Sequence, residues 1–212
     1  MYRLENVSYH DIIGSLYLEF KEGAVSCMTG PSGAGKSTIL KFLNKMIIPT
    51  GGEILFQNKP LKAIDSIELR RQAVMLQQEP VIFDGSIEDN LQIGLKFSCG
   101  NPASRAELEE ALKMVMLEKQ LNEDANKLSG GEKQRLALAR IFIMKPKVFL
   151  LDEPTSALDS ETEMKVMGRF LDAVKGREGT VIMITHSPTV AERFGDENIH
   201  IPLKGKTGEC NE

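Results

Sequence analysis

Lys36 and Ser37 follow directly on Gly35, and the stretch Gly30-Pro31-Ser32-Gly33-Ala34-Gly35-Lys36-Ser37-Thr38 fits the pattern G-x-x-x-x-G-K-S without a gap. That spacing has a chemical reason. Glycines let successive backbone N–H groups curl around a β-phosphate, the lysine reaches the β- and γ-phosphates, and the serine hydroxyl ligates Mg²⁺. Two further groups suit the same chemistry. The run VFLLDE ends in Asp152 and Glu153. Asp152 is suited to hold Mg²⁺ opposite Ser37, and Glu153 to accept a proton from an attacking water. His186 closes another apolar run, TVIMITH, and is expected at the same edge of the fold.

A third stretch, Ser129-Gly130-Gly131-Glu132, opens a segment of good helix formers. Each glycine costs a helix interior about 1 kcal/mol relative to alanine. Ser129 and Glu132 stand in the S-x-x-E relation of a capping box, with the glycines in the first turn. A helix start carries unpaired N–H groups and the positive end of the dipole, and glycines let an anion approach them. Taken by itself, the stretch reads equally as a capped helix with a flexible lead-in or as an anion site.

These groups need elements to position them. Leu16, Leu18 and Phe20 alternate with polar residues as in a half-buried strand, and AVSCMTG is a short apolar strand ending at Gly30. Residues 36–46 read as a helix stopped by Pro49 and the Gly51-Gly52 turn. EILFQ reads as a strand, 64–72 as a helix opened by Asp65-x-x-Glu68, and Ala73 to Leu76 as a strand. From Gln78 to Arg140 the pattern is almost wholly helical, with Ser104-x-x-Glu107 opening a helix over AELEEALKMVMLE. KVFLLD and TVIMIT read as strands buried on both faces, separated by a helix capped through Ser160-x-x-Glu163. Residues 188–194 form a short helix before ENIHI. Strands alternating with helices indicate a mostly parallel α/β sheet, with the middle third as a helical insertion.

The chain of 212 residues, with 42% hydrophobic and 26% charged residues, has an ordinary globular composition. A net charge of −4 argues against attachment to nucleic acid through a basic surface. No apolar run approaches the roughly 18 residues needed to span a bilayer, and MYRLE does not begin a signal peptide. A membrane role therefore calls for a separate partner chain. Cys27, Cys99 and Cys210 follow no metal-ligand spacing; Cys27 is expected to be a buried thiol and Cys210 to lie in a disordered polar tail. A reducing cytosol suits this usage.

Together these motifs resemble those of ATP-binding cassette (ABC) ATPases, the nucleotide-binding subunits of ABC transporters, over about residues 2–203. GPSGAGKST resembles the Walker A loop, LSGGE the signature, VFLLDE the Walker B strand, Ser156 to Asp159 (SALD) the D-loop, and His186 the switch histidine. The resemblance implies a P-loop NTPase, RecA-like core with an antiparallel β portion near the N-terminus and an inserted helical subdomain. It divides the single domain into a core over 1–84 and 145–204, a helical subdomain over 85–144, and a polar tail over 205–212. Family members dimerise head to tail, which implies that Ser129, Gly130, Gly131 and Glu132 face ATP held by the partner. QEPVIF resembles the Q-loop and selects Gln78 rather than Gln77 to touch Mg²⁺ or the attacking water. FDGSIEDNL, from Phe83 to Leu91, resembles the docking groove for membrane permease subunits and is similar to that of small stand-alone cassettes of bacterial metal-export-type systems. For the base, the family places an aromatic in the first strand region, here Tyr9. The interval to the next strand is shorter than usual, which leaves His10 or no residue as the alternative stacker.

The implied function is hydrolysis of MgATP by a peripheral protein on the cytoplasmic face of a membrane, driving a permease, with no nucleic acid partner. Alternatives are a cassette driving an envelope process without solute transport, or a soluble cassette acting on nucleic acid or ribosomes. The soluble class carries a long coiled coil or a second cassette, and neither is present in this sequence. A P-loop kinase would have no purpose for LSGGE and SALD. If the signature glycines serve only their own helix, Gly131→Ala is neutral or stabilising; if they approach a phosphate, it obstructs ATP-dependent dimerisation. Lys36→Ala is expected to abolish tight ATP binding in a folded chain. Nucleotide titration beside circular dichroism checks this, and unchanged affinity overturns the phosphate-loop assignment.

Overall fold

A computed structural model describes residues 1–203 of the chain. Cys210 and the expected polar tail lie outside the described residues. The elements run β1 (Tyr2–Tyr9), β2 (Ile13–Phe20), β3 (Val25–Thr29), α1 (Lys36–Leu43), β4 (Gly51–Phe56), β5 (Lys59–Pro60), α2 (Ser66–Gln72), β6 (Ala73–Leu76), α3 (Ile87–Phe97), α4 (Arg105–Met114), α5 (Gly130–Ile143), β7 (Val148–Asp152), α6 (Ser160–Lys175), β8 (Thr180–Ile184), α7 (Pro188–Phe194) and β9 (Glu197–His200). They form the expected α/β architecture. A parallel sheet has the order β6-β7-β8-β3-β9, and an antiparallel sheet near the N-terminus has the order β2-β1-β4-β5.

The continuous apolar runs of β7 and β8 are explained by burial on both faces. Val148, Leu150, Ile182 and Ile184 pack into the core shared with α1 and the antiparallel sheet. Phe149, Leu151, Val181 and Met183 enter the second core, which extends through Phe170 of α6 to Leu136 and Leu138 of α5 and Leu91 of α3. Helix α5 packs on α3, α4 and β6, so the helical region is joined to the sheet by apolar contact. Cys27 is fully buried, and burial pushes its thiol up to about 12.

Several helix boundaries differ from the sequence expectation. The helix expected over 36–46 ends at Leu43, because Lys45 takes a left-handed φ of 55° and Met46 N–H turns back to Lys41 O at 2.9 Å. The helix expected to reach Glu118 ends at Met114, where Met116 turns left-handed and Leu117 N–H closes on Leu112 O at 2.9 Å. Ser160 is not the cap of α6. Asp159, one residue earlier, accepts from the N–H groups of Glu161 and Thr162, and Glu163 instead accepts the Thr155 hydroxyl at 2.6 Å. The helix expected over 64–72 starts at Ser66, with Asp65 as its cap. His186 stands in the loop beyond β8, which ends at Ile184.

Phe170 is fully buried between Phe142 and Phe149, with ring centroids at 6.0 and 5.4 Å. Phe170→Ala is expected to destabilise the fold by about 3–5 kcal/mol, read by denaturant unfolding. A loss below 1 kcal/mol, roughly the cost of a single methylene, would mean that this aromatic layer is not what joins α5 and α6 to the sheet.

Candidate active site

The phosphate loop fills the gap between β3 and α1, with Gly30, Gly33 and Gly35 at φ values of 135°, 81° and 88° that L-side chains rarely adopt. A Cβ at Gly30 would collide with the carbonyl of Ile201, and one at Gly35 would lie 2.9 Å from Ile13 Cγ1. Lys36 is 7% exposed, and its ammonium donates to Gly30 O at 2.7 Å and Pro31 O at 2.9 Å. The cation is therefore held across the mouth of its own loop, within a short swing of whatever the loop's N–H groups bind. Ser37 Oγ donates to Asp152 Oδ1 at 3.2 Å. Burial pushes the Asp152 carboxyl up from its ordinary range, against the Ser37 hydrogen bond that lowers it. A desolvated carboxylate beside a hydroxyl is a pair of hard oxygen donors that suits a small divalent cation such as Mg²⁺.

Gln78, Glu153 and His186 come together. Glu153 Oε2 accepts from Gln78 Nε2 at 2.9 Å, and Glu153 Oε1 lies 3.0 Å from His186 Nε2. Each follows the end of a parallel strand, β6, β7 and β8 respectively, so sheet register rather than sequence proximity unites them. Gln77 does not join this cluster and lines a different groove with Val81 and Phe97. Glu153 takes a left-handed φ of 47°, with its N–H donating to Ile184 O at 3.1 Å. A non-glycine residue at such a φ is uncommon, and the strain persists where surrounding contacts over-determine it.

The Ser129-to-Glu132 box forms as the spacing predicts. Ser129 N–H donates to Glu132 Oε2 at 2.8 Å and Glu132 N–H to Ser129 Oγ at 3.4 Å. The bond from the Ser129 N–H, with its hydroxyl and Lys119 behind it, holds the Glu132 carboxyl below its usual range. These hydrogen bonds stay within the cap, so the start of α5 is a helix N-terminus facing outward. The two glycines then differ. Nothing lies within 4 Å of a Cβ at Gly130, whereas one at Gly131 meets Ala157 O and Leu158 Cδ2, both at 3.0 Å. Gly131 thus has a reason inside its own chain to lack a side chain.

Tyr9 is half-buried, its ring edge-on to Phe42 at 5.4 Å and beside His10 at 4.3 Å. The exposed Ile12 in the β1–β2 turn and the buried Ile13 that opens β2 are the side chains that lie against Gly35. In the Phe83–Leu91 segment, Asn90 is fully buried and bonds back to Phe83 O at 2.8 Å. Arg140 of α5 donates to Asn90 O, Asn90 Oδ1 and Val81 O, all at 2.8 Å, and its guanidinium stands 5.1 Å from the Phe83 ring centre. Burial pushes Arg140 down to about 10. Beside it lies an apolar groove of about 220 Å³, with Val81 and Phe97 59% and 67% exposed.

Sequence reasoning missed Gln134 and Arg140. Gln134 lies three positions beyond Gly131, one turn along the same helix face, which is the only local signal that it shares Gly131's neighbours.

Residues 13–156 match the family model described as ABC transporter. Protein STAR1 of Oryza sativa subsp. japonica is 37% identical over 187 residues, covering 88% of this chain and 54% of that protein. The phosphate import ATP-binding protein PstB of Pyrobaculum aerophilum is 36% identical over 200 residues, covering 88% of this chain and 79% of its own length. The chain thus spans about half the length of the rice relative and most of the archaeal one. Among solved structures, an ATP-binding cassette in a dimeric post-hydrolysis state, bound to ADP and Pi, superposes with a TM-score of 0.84 at 31% identity. It covers 96% of this chain and 97% of that one.

The Gly131 contact changes what an alanine substitution there reports. Gly131→Ala is expected to lose about 1–3 kcal/mol through overpacking against Ala157 and Leu158. Gly130→Ala is expected to be neutral or to gain up to about 1 kcal/mol from helix propensity. Thermal unfolding without nucleotide checks both, and equal melting temperatures for the two variants overturn this account of the turn.

Proposed function

Because the chain belongs to the ABC transporter family, we propose that it binds MgATP, hydrolyses it to ADP and phosphate, and drives a separate membrane permease through ATP-dependent head-to-tail dimerisation. The observation that carries the reading is the Glu153 carboxylate, held between Gln78 and His186 at the strand ends that also carry Asp152.

The residues have the following roles. The N–H groups of the loop from Gly30 to Thr38 surround the β-phosphate, and Lys36 exchanges its bonds to Gly30 O and Pro31 O for phosphate oxygens. Ser37 and Asp152 would hold Mg²⁺, with Gln78 as a further oxygen donor, and the fit rests on the hard oxygens of Ser37 and Asp152, which lie against each other. When bound, the ion offsets charge on the β- and γ-phosphate oxygens. Glu153 accepts a proton from the water that attacks the γ-phosphorus, and the bond to the β-phosphate oxygen breaks as ADP leaves. Gln78 and His186 orient the carboxylate and the water, with His186 turned toward the γ-phosphate. The base lies at the β1–β2 turn, where Tyr9, packed on Phe42, and the exposed Ile12 are the apolar surfaces available to it.

The second subunit supplies Ser129, Gly130, Gly131 and Glu132 to the γ-phosphate, a use that suits an outward-facing helix start. The permease docks at Phe83–Leu91 and the apolar groove beside it, where the core meets the helical subdomain over 85–144, and that subdomain moves with the signature turn. No helix among the described residues is long and apolar enough to cross a membrane. By its family the proposed place of action is the cytoplasmic face of a membrane, as a peripheral subunit, and the net charge of −4 argues against nucleic acid as a partner.

Glu153→Gln is expected to bind MgATP while slowing hydrolysis by about 10²–10⁴-fold, because the amide cannot take the proton. ATP that is bound and not turned over should hold two chains together, visible as a dimer in gel filtration. Normal turnover in this variant removes Glu153 from the chemistry.

A further inference from the structure

Helix α5 does more than present its N-terminus. One face of its first turns rests on residues 153–158 at two points. Gly131 makes the close approach to Ala157 and Leu158. Gln134, only 2% exposed, is hydrogen-bonded through both ends of its carboxamide. Its Nε2 donates to Glu153 O at 3.0 Å and to Ser156 Oγ at 3.1 Å, and its Oε1 accepts from Ala157 N–H at 2.9 Å. The orientation of the amide is fixed by its partners, since Ala157 N–H can only donate and Glu153 O can only accept.

Glu153 needs such support. Its left-handed φ is sparsely populated for a side-chain-bearing residue and persists only where the surroundings hold it. On the amino side, the hold is the bond from its N–H to Ile184 O. On the carbonyl side, it is Gln134 together with a longer turn contact from Ser156 N–H at 3.3 Å. The sheet therefore fixes one end of the residue and α5 the other. The neighbouring position on the same helix turn, Gly130, is open.

We propose that Gln134 is a positioning residue that ties the Glu153 carboxylate to the placement of α5. A phosphate seated on the start of α5 thereby governs hydrolysis in the chain that owns the helix, as well as in the chain that holds the phosphate. The proposal rests on the reading of Glu153 as the base and of Ser129 to Gly131 as a contact to the partner's nucleotide. Tilting or withdrawing α5 pulls on Glu153 O, the Ser156 hydroxyl and the Ala157 N–H together, because one buried amide holds all of them. The carboxylate then leaves its alignment with Gln78 and His186. Each composite site is in this way informed of the occupancy of the other through a single side chain.

The test uses the full chain and ATP. Gln134→Met keeps length, packing and helix propensity and removes the hydrogen bonds. It should lower kcat by on the order of tenfold to a hundredfold, as a small misplacement of a catalytic group does, with KM unchanged. Introduced beside Glu153→Gln, it should still allow the ATP-dependent dimer, because the phosphate contacts remain. Gln134→Leu, a good helix former of similar size with no polar group, likewise removes the bonds to Glu153 and Ala157. It should show the same fall in kcat, and it serves if the methionine variant does not fold. A wild-type kcat in either variant overturns the proposal. So does a fall in kcat that comes with parallel losses of ATP affinity and dimerisation, since that marks a structural role only. Normal turnover by Glu153→Gln alone instead overturns the base assignment, and the link with it.

Discussion

Leu76 pairs with Leu151, and Asp152 with Ile184, so that β6, β7 and β8 run out at one edge of the parallel sheet in fixed register. The site depends on this pairing. A shift by one residue would turn every side chain to the opposite face. It would also exchange the two apolar cores, because alternate residues of β7 and β8 belong to different cores. The hydrophobic pattern that resists such a slip thus holds Gln78, Glu153 and His186 together, although they are dispersed along the chain.

The groups at this edge are held in states that cost stability. Asp152 is desolvated and its carboxyl pushed up, with Ser37 as its hydrogen-bond partner. Its folded-state pKa lies above the unfolded value, so its contribution to stability is present at low pH and is lost as pH rises through the folded pKa. The ionised form opposes folding, and a cation would relieve that cost. Glu153 carries backbone strain, and Lys36 spends its donors on loop carbonyls. The desolvated Asp152 and the strained Glu153 cost the fold stability, whereas the Lys36 bonds satisfy a buried ammonium.

The helical region is attached to this edge by polar contacts as well as by its core. Near its start α5 holds the 153–157 segment through Gln134, and further along it holds Asn90 and Val81 through Arg140. Arg140 is buried, and burial lowers its pKa; its hydrogen bonds to Asn90 and Val81 go to amide oxygens. Such a cation is expensive to leave unpaired, so the Phe83–Leu91 segment and α5 must keep their mutual geometry. The same helix therefore borders the groove beside Phe83, the signature turn and the carboxylate.

Much of this was legible in the sequence because the signals are local. The phosphate loop needs glycines at set offsets, the capping box needs serine and glutamate three apart, and strands buried on both faces read as continuous apolar runs. Those features specified the α/β class, the antiparallel portion by resemblance, and the residues brought to the sheet edge. Helix ends were less legible: Lys45 and Met116 adopt left-handed backbone without a glycine to announce it, and Asp159 competes with Ser160 for the same cap. What the tertiary structure alone decided concerns partners distant in sequence. Gln134 is an unremarked helix residue until Glu153, Ser156 and Ala157 stand across from it, and the second reason for Gly131 to lack a side chain, the approach of Ala157 and Leu158, is visible only in the fold. Spacing reports what one element does along its own axis, whereas the meeting of two elements depends on how the cores between them pack.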